Sequence, residues 1–215
     1  MRRSADARPL TQRELADAWE DALAGSGLPV AWTDAATPRI RVSFGAPLSP
    51  GAAGEAELVD LFLTERWPTW RVRERLSALP AGWTLVDLYD VWLAGPALPG
   101  RIVAADYRIS LGGAVDAAAI ERACARLMAA ETLPRDRLKS GGTVRYDLRP
   151  LLAEVGMVEP GPPVVVRART RFHPELGTGR PDEVIGALAE AAGKPLQAAS
   201  IVRERLILAD EDPTG

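Results

Sequence analysis

The sequence predicts an α+β fold of two tandem ferredoxin-like units, each a β-α-β-β-α-β order that lays two helices on one face of an antiparallel sheet. Three observations carry that expectation. Segments of two-residue alternation interleave with segments of helical spacing. The first half repeats most of the order of the second, lacking only a clear opening strand. A turn-rich stretch, Ala94-Gly95-Pro96-Ala97-Leu98-Pro99-Gly100, separates the two halves, and all six tryptophans precede it. The expected division is a first unit over 1–93, a linker over 94–104, a second unit over 105–210 and a tail over 211–215.

In the first unit, residues 1–10 are polar and contain Pro9, so the opening strand is expected to be very short or missing. Thr11-Gln12-Arg13-Glu14 is a capping-box signature for a helix through Leu15, Ala18, Trp19 and Leu23, ended by Gly25-Ser26-Gly27. Ile40, Val42 and Phe44 alternate with Arg39, Arg41 and Ser43, and Val59, Leu61 and Leu63 alternate with Asp60 and Phe62. A helix over 70–79 and a strand over 84–92 complete the unit. Trp67-Pro68-Thr69-Trp70 reads as a hydrophobic staple at that helix start, or as an aromatic patch for a partner.

In the second unit, Tyr107, Ile109 and Leu111 alternate with Arg108 and Ser110, and Asp116 caps a helix carrying Ile120, Ala123, Cys124, Leu127 and Met128 inward. Val144, Tyr146 and Leu148 mark the second strand, closed by Pro150 and a short turn with Leu151, Leu152 and Val155. Val164, Val166, Ala168 and Thr170 mark the third. Pro181 then opens a helix with Asp182 and Glu183 in its first turn and Gly193 beyond its end, and the last strand spans 201–208.

Length and composition limit the chemistry. The 215 residues are 47% hydrophobic, ample for a packed core, so whole-chain disorder is excluded. No apolar run approaches the roughly 20 residues of a membrane span, and no signal-peptide apolar region follows Met1-Arg2-Arg3, so a cytoplasmic location is expected. One cysteine and one histidine leave no disulfide framework, no cysteine-ligated zinc and no cluster held by this chain alone. Neither a metal nor another cofactor is expected. Cys124 reads as a small core residue, and His173 has no motif supporting catalysis.

The 26 basic residues comprise 24 arginines and only Lys139 and Lys194, against 29 acidic residues, for a net charge of −3. GC-rich coding bias accounts for the residue type; selection for planar, bidentate anion contacts is the other explanation. Strand alternation places Arg108, Arg145, Arg149, Arg167, Arg169, Arg171, Arg203 and Arg205 on the sheet face away from the helices, with Asp147 among them. Glu204 is expected to point inward. Such a face needs anions, carboxylates or a partner to neutralise it. Single-stranded RNA is one occupant; Tyr107 and Tyr146 point to the helix side, so contacts to the backbone are expected rather than base reading. The other is an interface, with acidic residues such as Asp60, Asp87 and Asp90 supplying the counter-charge. Asp147 between Arg145 and Arg149 suits a nucleophile or a fixed hydrogen-bond acceptor, or simply an ion pair that orients the strand. Gly177-Thr178-Gly179-Arg180-Pro181-Asp182-Glu183 enters a helix N-terminus but matches no phosphate-loop or dinucleotide fingerprint.

Leu28-Pro29-Val30-Ala31-Trp32, Pro38-Arg39-Ile40-Arg41-Val42-Ser43-Phe44 and Glu55-Ala56-Glu57-Leu58-Val59-Asp60 occur in succession, followed later by Tyr146-Asp147-Leu148-Arg149-Pro150 and Gly179-Arg180-Pro181-Asp182-Glu183-Val184. This succession resembles the radical-SAM-associated protein family over nearly the whole chain, and Asp147, Arg149, Arg180, Pro181 and Asp182 match its later motifs. The resemblance implies a cobalamin-binding radical SAM enzyme as partner and an RNA-related setting, without implying a reaction. Where that family has Ser-His-x-Asp before its first helix, this chain has Thr11-Gln12-Arg13-Glu14, which keeps the cap and loses the histidine. The function expected is that of an accessory RNA-binding or substrate-presenting partner, itself non-catalytic. The alternatives are an RNA-modifying enzyme of pseudouridine-synthase-like type using Asp147, or a protein-binding adaptor.

Overall fold

The computed structural model describes residues 1–7, 10–76, 78–91, 96–139 and 142–211. The chain is α+β and divides into two compact units, residues 1–102 and 103–215.

The first unit runs β1 (Arg2–Arg3), α1 (Gln12–Ala24), β2 (Val42–Phe44), β3 (Ala53–Gly54), β4 (Val59–Leu61), α2 (Thr69–Arg75), β5 (Trp83–Thr84) and α3 (Leu98–Arg101). The capping box is formed in full: the Thr11 hydroxyl accepts from the Glu14 amide, and the Glu14 carboxylate accepts from the Thr11 amide at 2.8 Å. The opening strand is two residues long and pairs antiparallel with both β3 and β5. β2 and β4 form a separate antiparallel pair, continued by single bridges between Trp32 and Ile40 and between Val30 and Leu63. Trp19, Leu23, Leu28, Ile40, Val72 and Leu76 make the core, with Trp19 edge-on to Phe44 and Trp83.

Three expectations for this unit are corrected. The helix expected over 70–79 ends at Arg75. The strand expected over 84–92 is regular only at Trp83–Thr84; Leu85 and Leu88 both pack on the core, and a spacing of three cannot alternate across a strand. Trp92 lies outside the described residues. Within the stretch read as a linker, Leu98–Arg101 is helical and Leu98 is buried.

The second unit contains β6 (Ile102–Leu111), α4 (Ala117–Ala129), β7 (Pro134–Lys139), β8 (Gly142–Asp147), β9 (Leu152–Glu159), β10 (Val165–His173), β11 (Gly177–Thr178), α5 (Pro181–Ala192) and β12 (Ala198–Leu208). Its sheet has the order β9-β10-β6-β12, and β11 pairs with the end of β10. Asp116 caps α4 through the Ala118 amide, and α5 stops at Gly193, whose φ of 69° is the left-handed conformation that glycine adopts without strain.

The strand expected at Val144, Tyr146 and Leu148 exists, but not in this sheet. It is β8, paired only with β7 in a two-stranded ribbon. The second sheet strand is instead β9, which the sequence presents as a turn. Thr170 stands opposite Leu152 and Arg169 opposite Glu154, so Ala153 is bulged. That bulge puts Leu152 and Val155, three apart, into the core together.

Candidate nucleic-acid interface

Antiparallel pairing of β10 with β6 aligns Arg167 with Arg108, Arg169 with Asp106 and Arg171 with Ala104. Directly opposed residues share a face, so these side chains stand together on one side of the sheet. The buried residues Ile109, Tyr107 and Ala105, opposite Val166, Ala168 and Thr170, fill the other. The register of β10 is therefore the one its alternation predicts.

Two carboxylates organise the face. Asp106 accepts from Arg169 Nε at 2.7 Å and Nη2 at 3.0 Å, and from Arg205 Nε at 2.8 Å. Glu204 accepts from Arg167 Nε at 3.0 Å and lies 3.2 Å from Arg108 Nε. Each carboxylate is thus shared by two guanidinium groups; with Arg171 beside them and Glu154, opposite Arg169, on the same face, five positive charges meet three negative ones. Burial pushes the Asp106 carboxyl up, but the hydrogen bonds from Arg169 and Arg205 outweigh burial and hold it below the usual aspartate value. Arg167 and Arg205 are the open members, with side chains 56% and 59% exposed.

The remaining arginines are dispersed. Arg203 is fully buried, and Glu204, expected inward, is on the arginine face. Leu206, Ile207 and Leu208 are all buried, and a continuous apolar run carries no phase for the strand that contains it. Arg145 lies opposite Asp136 in the ribbon. Arg171 stays on the shared face, at its edge, and donates to the Pro150 carbonyl at 3.3 Å. Arg149 donates to the carbonyls of Ala130, Leu152 and Met128, two of them at the end of α4. It works as a cation closing a helix C-terminus. Of the acidic residues proposed as counter-charges, Asp87 pairs with Arg73 and Asp90 with Arg66 inside the first unit.

The motif residues have structural partners as well. Asp147 Oδ1 accepts from the Leu133 amide at 2.7 Å and the Arg149 amide at 2.9 Å, fixing the base of the ribbon. One oxygen held by two backbone donors is a turn-forming acceptor. Arg180 precedes α5 without a side-chain capping bond, Pro181 is its buried first residue, and Asp182 and Glu183 occupy its first turn. Glu183 reaches back to Arg135 at 3.4 Å, and Arg137 covers the Tyr146 ring at 4.6 Å and donates to the Thr178 carbonyl. His173 Nδ1 accepts from the Glu175 and Leu176 amides in the β10–β11 turn.

Asp106 and Glu204 are the residues that sequence reading missed. Asp106 has a usable signal, since it lies two before Arg108 in an otherwise apolar strand and so shares its face. Among the described residues no group of three or more His, Cys, Asp or Glu side chains could hold a metal ion, and no helix is long and apolar enough to cross a membrane.

A family model described as "Uncharacterized protein conserved in bacteria (DUF2344)" matches residues 1–179. The chain belongs to this DUF2344 family. A search of curated proteins found no match. Among solved structures, this DUF2344 chain is similar in fold to one in the "Crystal Structure of a Cbf5-Nop10-Gar1 Complex", with a TM-score of 0.51 at 10% identity. The similarity covers 93% of this chain and 46% of the other, so the protein spans less than half the length of the chain it matches.

Proposed function

We propose that this protein is a non-catalytic accessory that binds RNA and presents it to a cobalamin-dependent radical SAM enzyme. One observation carries the RNA part: four guanidinium groups on a single sheet face are pinned in place by two carboxylates, and with Arg171 and Glu154 counted the face keeps a net positive charge although the chain is acidic. A fixed guanidinium loses little freedom on meeting a phosphate, and a local patch sets the field that a ligand meets. The resemblance to radical-SAM-associated proteins supplies the partner class. We read the second unit as ferredoxin-like with the β7–β8 ribbon inserted before its second strand, and the first as a tandem unit of the same order with shortened strands. Asp147 has no catalytic part in this reading, because its Oδ1 is engaged by the Leu133 and Arg149 amides.

The test is affinity capture from native lysate with and without nuclease, read out by protein and RNA content. RNA recovered with the protein, together with a radical SAM enzyme, supports the proposal. Recovery of neither sinks it, and nuclease-resistant recovery of a protein partner without RNA reassigns the face to an adaptor role.

A further inference from the structure

Resting on that RNA-binding reading, we infer that the arginine face takes a single strand by its phosphates, within about two nucleotide steps of each other, without reading bases. The two open guanidinium groups set the spacing. Arg167 on β10 and Arg205 on β12 flank β6, so about 10 Å separates their backbones across the sheet, two strand spacings. Along the strands, Arg167 is level with Arg108, whereas Arg205 reaches Asp106, two residues further along β6. Both side chains lean inward, Arg167 to Glu204 and Arg205 to Asp106, so the guanidinium groups lie within the backbone diagonal of about 12 Å. A stretched single strand covers such a distance in at most about two nucleotide steps.

The orientation of the donors fits the same ligand. Arg205 engages Asp106 through Nε, and Arg167 engages Glu204 through Nε and Nη2. Among the described residues nothing engages the outer Nη1 of Arg167 or the two Nη atoms of Arg205, which leaves them for an incoming oxygen acceptor. Small residues keep part of the face low: Gly156 lies opposite Arg167 with open space where a Cβ would be, and Ala104 lies opposite Arg171, while Glu154 opposite Arg169 is the carboxylate a phosphate must avoid. No Phe, Tyr or Trp of β6, β9, β10 or β12 shares the face: Tyr107 pairs with Ala168 on the helix side, and Phe172 follows Arg171 with the opposite orientation. These strands therefore offer bases no aromatic platform, and recognition on them falls to the backbone. A duplex presents a convex cylinder and meets fewer of these donors.

The experiment titrates the full chain with fluorescent oligo(U) and oligo(A), a duplex RNA and a poly-glutamate peptide, each over a salt series. Oligo(U) and oligo(A) should bind within about threefold of each other and at least about tenfold tighter than the duplex. Replacing both open arginines, Arg167→Gln with Arg205→Gln, should reduce the slope of log K against log salt by about 1.4, since each phosphate contact on a single strand contributes about 0.7. Arg205→Gln alone, a change at an exposed side chain, should take half of that and serves if the double variant does not fold. Equal binding of single strand and duplex, a strong preference for one base, or an unchanged slope would overturn this inference while leaving the RNA reading intact. Binding of poly-glutamate in preference to every RNA would overturn both.

Discussion

The guanidinium of Arg135 lies across α5 at the place where a Cβ on residue 186 would stand, and Gly186 is what admits it. From there Arg135 pairs with Glu183 and Glu190, tying the β7–β8 ribbon to the helix. Gly186→Ala should raise helix propensity by about 1 kcal/mol while displacing Arg135, so overall stability should change little. The ribbon itself should loosen. Faster amide exchange in β7 and β8 at unchanged global stability is the expected result; unchanged ribbon protection would show that another contact anchors it.

Asp106→Asn removes the negative charge shared by Arg169 and Arg205, of which Arg169 is three-quarters buried. The expected cost is about 2–4 kcal/mol, because a largely buried ion pair loses one of its charges. The pH dependence follows from the depressed carboxyl. Its contribution is complete above the ordinary aspartate value of 3.8 and is lost as pH falls below that value through the folded one. Urea midpoints measured down an acid series should fall less steeply in Asp106→Asn than in wild type.

Gly179→Ala should be poorly tolerated. A Cβ there would stand 2.6 Å from the Leu151 carbonyl oxygen and 2.8 Å from the Thr170 Cβ, neither of which is the end of a flexible side chain. A loss of about 2–3 kcal/mol in denaturant unfolding is expected. The glycine before Arg180-Pro181 is thus explained by close packing against Leu151 and Thr170 rather than by an approaching phosphate.

Burial pushes the Cys124 thiol up to about 11. The native protein should resist thiol-specific reagents at neutral pH and react only on unfolding. Rapid labelling of folded protein would contradict the packing of α4.

Local signals were readable where one contact decides them. Thr11 and Glu14 announce a cap, Gly193 a helix end, and the alternation through Arg167, Arg169 and Thr170 the phase of β10. What a residue's neighbours decide was less accessible. The alternation of Val144 and Tyr146 reports a strand but not its partner, and β7 opposite it, Pro-Arg-Asp-Arg-Leu-Lys, has no apolar period to declare it. The bulge at Ala153 hid β9, and the unphased apolar run of β12 put Arg203 and Glu204 on the wrong sides. The arginine face was therefore partly legible: Arg108, Arg167, Arg169, Arg171 and Arg205 are gathered, while Arg145, Arg149 and Arg203 serve elsewhere or are buried.

All six tryptophans belong to residues 1–102, with Trp19 buried edge-on between Phe44 and Trp83 and Trp32 and Trp70 largely open to water. Indole emission therefore comes entirely from residues 1–102, and unfolding of the first unit around Trp19 has an optical signal of its own.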